Sequence, residues 1–318
     1  AYSAAAADGG HVGCFGWCMF DYPTHKDFGS GDRVCYHGVM DAFRNPKPAA
    51  ALYASQGEGT TVLTACTPMD IGDYPGGQIG DSAVLTNADS VRLYKNGNYV
   101  TTLRTGDYPG LPHPPMILDD IIGELLETQE GFDEKKADLL RACLLAVRKH
   151  GLAHLPPADL ARMGVAMTKY GLTFADAQKL YGKYVGNWGG ESTVWRLDAL
   201  KGGKVASSVT LCPSAKLHLE VTPSHTELTE RDTYDMAAVR VRILDEYGSP
   251  APYAQLPVTF RLEGAAELVG PETAAAEGGM TGTYVRTTGQ TGAAVLTVTT
   301  SQTEAVRIAF TVGRKPER

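Results

Sequence analysis

The stretch from Val12 to Phe20 places the strongest constraint on the fold, because apolar side chains occupy both of its alternating faces. One face carries Val12, Cys14, Cys18 and Phe20, and the other carries Phe15, Trp17 and Met19. A strand that is apolar on both faces is typical of a parallel sheet covered by helices, not of a two-layer antiparallel sandwich. The stretch therefore predicts one buried strand of a barrel-like sheet.

Polar residues follow this strand directly, beginning at Asp21 and running through His25 and Lys26 to a glycine-rich turn. Apolar side chains then recur from Val34 to Phe43, which predicts a helix packed outside the sheet. Functional residues of barrel folds lie at the carboxyl ends of their strands. The loop would then line a substrate cleft. The alternative is that these residues are polar only because they lie in a surface loop.

Five segments arrive in a characteristic order: Phe15-Gly16-Trp17, Phe20-Asp21-Tyr22, Tyr36 to Asp41, Arg44 to Lys47, and Tyr53. Together they resemble the last strand and the last helix of the catalytic barrel in glycoside hydrolase family two, the β-galactosidase group. The rest of the chain resembles the immunoglobulin-like domains that follow the barrel in that family. The resemblance implies the carboxyl-terminal region of an enzyme that acts on β-linked sugars.

The resemblance also implies which side chains face a sugar. The family places a tryptophan of this strand in the wall or floor of the sugar site, so Trp17 is the first candidate, with a buried barrel aromatic as the alternative. We interpret Asp21 as a structural carboxylate that supports the site, with a direct sugar contact as the alternative. His25 and Lys26 belong to the cleft loop, so the predicted substrate-binding residues are Trp17, Asp21, His25 and Lys26.

We predict no catalytic residue in this chain. A retaining glycosidase uses two carboxyl groups ~5–5.5 Å apart, one as nucleophile and one as acid and base. In the family both are glutamates on earlier barrel strands, whereas the first glutamate here is Glu58. Asp21 alone cannot fill both roles, so the chain by itself is predicted to be inactive.

Beyond Ala51 the sequence changes to short strands interrupted by one helical block. Strand patterns cover 61–66, 83–87 and 90–94, and Asn96-Gly97 predicts a tight hairpin because both central positions of a type I′ turn need positive φ. Helical stripes and caps predict four helices between Leu111 and Val185. Strand patterns resume at Thr193, so the sheet should close again after the helices.

The predicted fold class is mainly β, with two immunoglobulin-like β-sandwiches, a four-helix insertion in the first of them, and the end of a TIM barrel in front. A second sandwich begins at Leu217, where alternating apolar and polar residues recur to Val312. The predicted domains are the barrel end at 1–50, the first sandwich at 51–110 and 188–214, the helical insertion at 111–187, and the second sandwich at 215–318.

Composition excludes several classes of partner. The net charge of −7 and the pI of about 5.6 argue against a nucleic-acid partner, which would need a concentrated basic face. The histidines and cysteines show no zinc or redox spacing, so we predict no metal and no cofactor. No apolar run is long enough to cross a bilayer, and the six scattered cysteines favour reduced thiols and a cytoplasmic location.

Two functional classes remain open at this point. One is the supporting region of a β-galactosidase-like enzyme, and the other is a non-catalytic spacer that binds carbohydrate or protein. Without further barrel strands, we expect residues 12–20 to be disordered, to repack on the first sandwich, or to pair with another copy as a homo-oligomer. Leaving Phe15, Trp17 and Phe20 all in water would be unfavourable.

Overall fold

The computed structural model describes residues 1–27, 31, 33–70, 79–186, 192–213 and 216–314. The chain divides into two compact units. The first unit comprises Ala1–Cys14 and Ala51–Pro213, and the second comprises Phe15–Ala50 and Ser214–Arg318. The boundaries that we predicted at 187/188 and 214/215 lie outside the described residues.

Strands outnumber helices, as predicted from the sequence. The described helices are α1 Tyr2–Ala7, α2 Pro48–Ala54, α3 Leu125–Glu130, α4 Glu134–His150, α5 Pro157–Tyr170 and α6 Phe174–Tyr184, with a short 3-10 helix at Leu152–His154. The strands are β1 Tyr22–Pro23, β2 Val34–Cys35, β3 Leu63–Ala65, β4 Ser82–Thr86, β5 Ser90–Lys95, β6 Asn98–Thr102, β7 Arg104–Thr105, β8 Met116–Leu118, β9 Trp195–Lys201, β10 Lys204–Leu211, β11 Leu217–Pro223, β12 Glu227–Glu230, β13 Met236–Asp245, β14 Pro257–Gly264, β15 Ala266–Val269, β16 Thr273–Ala275, β17 Met280–Thr287, β18 Gly292–Thr299 and β19 Val306–Arg314. Within the described ranges, no helix is long and apolar enough to cross a membrane.

The first unit contains two four-stranded sheets, with strand orders β3-β4-β8-β7 and β10-β9-β5-β6. The predicted hairpin is confirmed, since Asn96 and Gly97 have φ of 49° and 81° and join β5 to β6. Strand β9 pairs antiparallel with β5, with Leu93 opposite Leu197. The sheet is thus completed by a strand that follows the helices, as the sequence predicted.

Three of the four predicted helices are confirmed. Asp133 caps α4 by accepting a hydrogen bond from the Lys136 N–H, and Gly171 ends α5 in the left-handed region. Thr173 and Asp176 form a complete capping box at the start of α6. Such caps satisfy backbone groups that a helix end leaves without partners, which is why the sequence marks these ends clearly.

The first predicted helix is wrong in its first half. Met116–Leu118 form β8 in the middle of a sheet, with Met116 and Leu118 buried and Ile117 half-buried. The Asp120 carboxylate then accepts hydrogen bonds from the N–H groups of Ile122 and Gly123. This local turn competes with helical hydrogen bonding, so α3 begins only at Leu125.

The second unit packs two antiparallel-rich sheets face to face, with strand orders β11-β13-β17-β15 and β12-β19-β18-β14-β16. Val239, Val241 and Ile243 of β13 are fully buried, whereas Arg240 and Arg242 between them are half-exposed. This alternation confirms the predicted strand. Phe260 and Phe310 fill the space between the sheets. The short strands β12, β15 and β16 were not predicted.

The predicted strand at 12–20 and the predicted helix at 34–43 are not formed. Residues 11–19 have no regular structure, and Phe20 makes a single parallel bridge to Met40. Val34–Cys35 instead belong to β2, which pairs with β1. A strand is stable only where neighbouring strands complete its hydrogen bonds, and residues 37–40 supply this ladder over only four positions. We had expected, as one possibility, that residues 12–20 repack on the first sandwich. Residues 15–50 instead group with the second sandwich.

Candidate functional site

The segment between Trp17 and Lys47 is held together by backbone hydrogen bonds between two parallel stretches. The N–H of Val39 donates to Cys18 O at 3.0 Å, and the N–H of Asp21 donates to Met40 O at 3.0 Å. Gly38 permits this close approach, because a Cβ there would lie 2.3 Å from the Asp21 nitrogen. These hydrogen bonds hold the residues around Asp21 in place, although the predicted strand before them is not formed.

The Asp21 carboxylate is buried, with 7% of the residue exposed. Its Oδ1 accepts a hydrogen bond from the Gly38 N–H at 2.9 Å and another from Lys47 Nζ at 2.7 Å. Lys47 also lies over the Tyr36 ring, with Nζ 5.8 Å from the ring centroid. A buried carboxylate that is paired in this way holds a loop in place, which is the structural role that we favoured for Asp21.

Trp17 is an exposed aromatic residue of the segment. It is 77% exposed, and its Nε1 donates a hydrogen bond to the Tyr22 hydroxyl at 3.2 Å. The Trp17 and Tyr22 rings pack edge to face at 6.4 Å, and Tyr22 packs against His37 in the same manner. The peptide bond from Trp17 to Cys18 is cis. Tyr22 thus orients an indole whose surface remains open to solvent, and Tyr22 follows directly after Asp21.

His25 and Lys26 lie on the exposed turn after β1. The His25 Nδ1 accepts a hydrogen bond from the Asp27 N–H at 3.2 Å. The Asp27 carboxylate lies 3.9 Å from the same nitrogen. The structure therefore links Trp17 to Asp21 through Tyr22, whereas His25 and Lys26 stay on the loop.

A partly buried carboxylate, Asp41, ties this segment to the second sandwich. Asp41 accepts hydrogen bonds from the N–H groups of Phe43 and Asn45 and from the Asn45 side-chain amide. Burial raises the pKa of Asp41, and these hydrogen bonds oppose that rise. The same Asn45 amide donates to the Thr281 carbonyl of β17 at 2.8 Å. One asparagine thus joins the loop to the sheet.

Phe43 and Tyr284 extend this attachment. Their rings lie 5.7 Å apart, and the Tyr284 hydroxyl donates to Ala42 O at 2.7 Å. Gly282 leaves room for the Phe43 ring, because an added Cβ would lie 2.5 Å from Phe43 Cγ. Burial raises the pKa of the Tyr284 hydroxyl, so Tyr284 stays protonated and able to donate at neutral pH.

Sequence reasoning missed the supporting residues of this site. Lys47 lies in the motif that carried the family resemblance, but nothing in the sequence showed that it pairs with Asp21. Tyr22 and Gly38 were likewise part of that motif without an assigned role. Gly38 and Lys47 lie 17 and 26 positions after Asp21, so no local sequence pattern would have found them as its partners.

A serine, a histidine and an aspartate also meet in the second unit. Ser224 Oγ lies 3.0 Å from His225 Nδ1, and His225 Nε2 lies 3.5 Å from Asp235 Oδ1. Ser224 Oγ also accepts the Ala238 N–H, and Asp235 accepts the N–H groups of Thr229 and Met236. These contacts close a turn beside β13, and Ser224 and His225 are exposed. The arrangement serves the turn and lacks the enclosed cleft of a hydrolase.

The carboxylates of the segment around Trp17 already accept structural hydrogen bonds, so the segment is suited to binding a ligand and not to acid–base catalysis. Asp21 and Asp41 both hold backbone N–H groups in place. Among the residues that the structure describes, no three histidine, cysteine, aspartate or glutamate side chains come together as metal ligands would. An exposed indole on a hydrogen-bonded loop can stack on a flat apolar face of a ligand.

The comparisons with known proteins agree with the sequence resemblance. Residues 219–309 match the model of glycoside hydrolase family 2 C-terminal domain 5. The chain is 30% identical over 282 residues to a β-galactosidase of Thermoanaerobacterium thermosulfurigenes, covering 87% of this chain and 31% of that protein. A β-galactosidase of Rhizobium meliloti is 35% identical over 123 residues, which is 37% of this chain and 16% of that protein.

Solved structures show the same fold at low sequence identity. A β-glucuronidase from glycoside hydrolase family 2 has a TM-score of 0.58 and 15% identity, covering 97% of this chain and 26% of the other. A β-glycosidase from Bacteroides vulgatus has a TM-score of 0.54 and 15% identity, covering 92% of this chain and 30% of the other. The chain therefore spans less than a third of the length of each of these proteins.

Proposed function

Because this chain is related to the carboxyl-terminal region of glycoside hydrolase family 2 enzymes of the β-galactosidase group, we propose that it supports the active site of a retaining β-glycosidase. In this proposal Trp17 forms part of the sugar-site wall. The observation that carries it is the exposed indole of Trp17, which Tyr22 orients on a segment fixed by the buried Asp21–Lys47 pair. The substrate class is a β-linked glycoside.

The proposal gives Asp21 a positioning role. Its carboxylate is directed at Gly38 and Lys47, so it holds the loop and does not touch the sugar. His25 and Lys26 are exposed on the adjacent turn, where they would meet the parts of a substrate that lie farther from the indole. Trp17 would supply the main contact, because aromatic faces bury much apolar area at little entropic cost.

We also propose the domain roles implied by the resemblance. The catalytic barrel would end with residues 1–50. One immunoglobulin-like sandwich would be formed by residues 51–110 and 188–214, with a helical insertion at 111–187 between them. A second sandwich would be formed by residues 215–318. In the whole enzyme, residues 12–20 would regain the strand partners that they need. The exposure of Phe15, at 104%, fits a strand whose neighbours belong to other parts of a barrel.

Hydrolysis needs a pair of carboxyl groups that this chain is proposed not to supply. The first glutamate is Glu58, which lies beyond the segment that resembles the barrel. The two glutamates of a retaining mechanism would lie upstream, so the chain alone would not turn over glycosides. General acid and base catalysis by a lone group contributes only ~10²–10⁴-fold, far short of a glycosidase's total.

The test is an assay against nitrophenyl β-galactoside, β-glucuronide and β-mannoside. We expect no turnover by the 318-residue chain and clear turnover when its gene is extended upstream through a whole barrel. In the extended protein, Trp17→Ala should lower kcat/KM about tenfold or more, which corresponds to ~1.4 kcal/mol of transition-state binding. Tyr108→Ala, another exposed aromatic, is the control and should leave kcat/KM unchanged.

Two results would contradict the proposal. Turnover by the short chain that persists in Trp17→Ala would place the active site elsewhere. Equal kcat/KM for Trp17→Ala and the unchanged extended protein would remove Trp17 from the sugar site. In that case the alternative is a non-catalytic spacer that binds carbohydrate or protein, which the exposed aromatic side chains of 15–22 would also permit.

A further inference from the structure

A cavity of about 320 Å³ lies among the helices α4, α5 and α6. Leu140 and Leu144 of α4, Met163 and Met167 of α5, and Phe174 and Ala177 of α6 contribute to its walls. Protein interiors are packed closely, and voids much larger than a water molecule are few. A space of this size between three helices is large enough to hold a small ligand.

The walls determine the chemistry of that occupant. The lining residues carry no charged side chain, and their polar groups are limited to the Gln178 amide, the Tyr181 hydroxyl and the Cys143 thiol. Burial raises the pKa of the Cys143 thiol, so the thiol is neutral at physiological pH. A buried water needs two to four polar partners, so these three groups could hold about one water but could not hydrate a cavity of about 320 Å³. A sugar needs still more polar partners, so it does not suit these walls.

The size and the opening of the cavity indicate how large its ligand can be. A dry cavity of ~150 Å³ accepts one benzene ring, and ligand sites begin near ~300 Å³, so this cavity matches a molecule of about two rings or a medium alkyl chain. Phe174 and Leu152 line it and are 62% and 50% exposed, which marks the entrance. A protein partner would instead need ~20–30 residues on each side, far more than these two.

We propose that the helices α4, α5 and α6 form a binding site for an uncharged, apolar small molecule of aromatic or alkyl character. The two methionines suit this role, because their unbranched, polarizable side chains adapt to different shapes. Ala177 allows the ligand to approach the backbone of α6, and Phe174 at the entrance offers a ring face. Nothing in this binding requires the glycosidase activity proposed above.

The test uses N-phenyl-1-naphthylamine, an uncharged two-ring fluorescent probe, titrated into the whole chain. We expect saturable binding of one equivalent, competition by naphthalene and decanol, and none by lactose. Ala177→Trp should fill the cavity and weaken binding at least tenfold. Ala175→Trp is the matched control, since Ala175 is an exposed alanine on the same helix, and it should change affinity less than twofold.

A second measurement on the unaltered chain keeps the test valid if Ala177→Trp does not fold. With 13C-methyl methionine, the probe should shift the resonances of Met163 and Met167, and leave those of Met236 and Met280 in the second unit unchanged. Absence of saturable binding, or equal weakening by both tryptophan variants, would overturn the proposal. So would a dimer that only Ala177→Trp dissociates, because a second copy would then be the occupant.

Discussion

The side chain of Lys95 on β5 is enclosed by the end of α6 and by β9. Its Nζ donates to the carbonyl of Lys183 at 3.0 Å and to that of Tyr184 at 3.4 Å, at the end of α6. It also lies over the rings of Tyr184 and Trp195. Burial, and then the positive charge of Lys183, lower the pKa of Lys95 to about 8. One amine therefore joins β5, α6 and β9.

This lowered pKa predicts a pH dependence with a definite sign. Between pH 8 and the ordinary lysine value of 10.5, the unfolded chain holds a proton at Lys95 that the folded chain has released. The free energy of unfolding should therefore rise with pH across this window. At ~1.36 kcal/mol per pH unit, the gain is at most about 3 kcal/mol.

The measurement is chemical denaturation of the first unit at several pH values from 7.5 to 10.5. Lys95→Met should lose the rise that belongs to Lys95, whereas Lys204→Met, at an exposed position, should retain it. Parallel profiles for Lys95→Met and the unchanged chain would contradict the lowered pKa.

Single residues also show how far sequence reasoning reaches. The structural role that we favoured for Asp21 stays a prediction, and the structure shows Gly38 and Lys47 as the partners of its carboxylate. Those partners lie 17 and 26 positions away, so they meet Asp21 only once the chain has folded. No local pattern reports such a distance, so the sequence indicated the carboxylate but not its lysine.

At the scale of elements, the ends of helices were the most predictable feature. Thr173 and Asp176 satisfy each other's backbone groups at the start of α6, and the pattern is visible within four residues of sequence. Val12 to Phe20 shows the opposite case. Both faces of this stretch are apolar, but a strand forms only beside neighbouring strands, which can lie far along the chain. The local sequence pattern does not specify those neighbours.

The capping box predicts a measurable effect on α6. Thr173→Ala should lower the free energy of unfolding of the first unit by about 1 kcal/mol at neutral pH. The hydrogen bonds from Thr173 lower the pKa of Asp176, so their stabilisation is present above the carboxyl's unfolded pKa and is lost as the pH falls through its folded value. Thermal unfolding at pH 7 and at pH 3 measures both effects.

Thr168→Ala provides the control for this prediction, because Thr168 is an exposed threonine inside α5 that caps nothing. It should change stability little at either pH. If Thr173→Ala and Thr168→Ala behave alike at neutral pH, the capping box does not stabilise α6.

At the scale of the whole molecule, the segment that carries Trp17 depends on the second sandwich. Phe43→Ala should remove the ring contact with Tyr284 and leave the space beside Gly282 empty. Losing this partly buried ring should destabilise the second unit by about 2 kcal/mol. Amide hydrogen exchange within 36–47 should accelerate, because these residues would lose their support.

Phe15→Ala is the matched control, since Phe15 lies two residues before Trp17 and is fully exposed. It should leave both the stability and the exchange of 36–47 unchanged. Unaltered protection of 36–47 in Phe43→Ala would show that the segment holds its shape without the sandwich.

The attachment of this segment to β17 also sets an order of events on the ribosome. Ala42 is synthesised 242 positions before Tyr284, which anchors it. At ~5–20 residues per second, the Trp17 segment emerges on the order of ten seconds or more before its anchor exists. A nonsense mutation ahead of Thr281 would therefore release a polypeptide that contains every residue of the Trp17 loop but has no strand to receive Asn45.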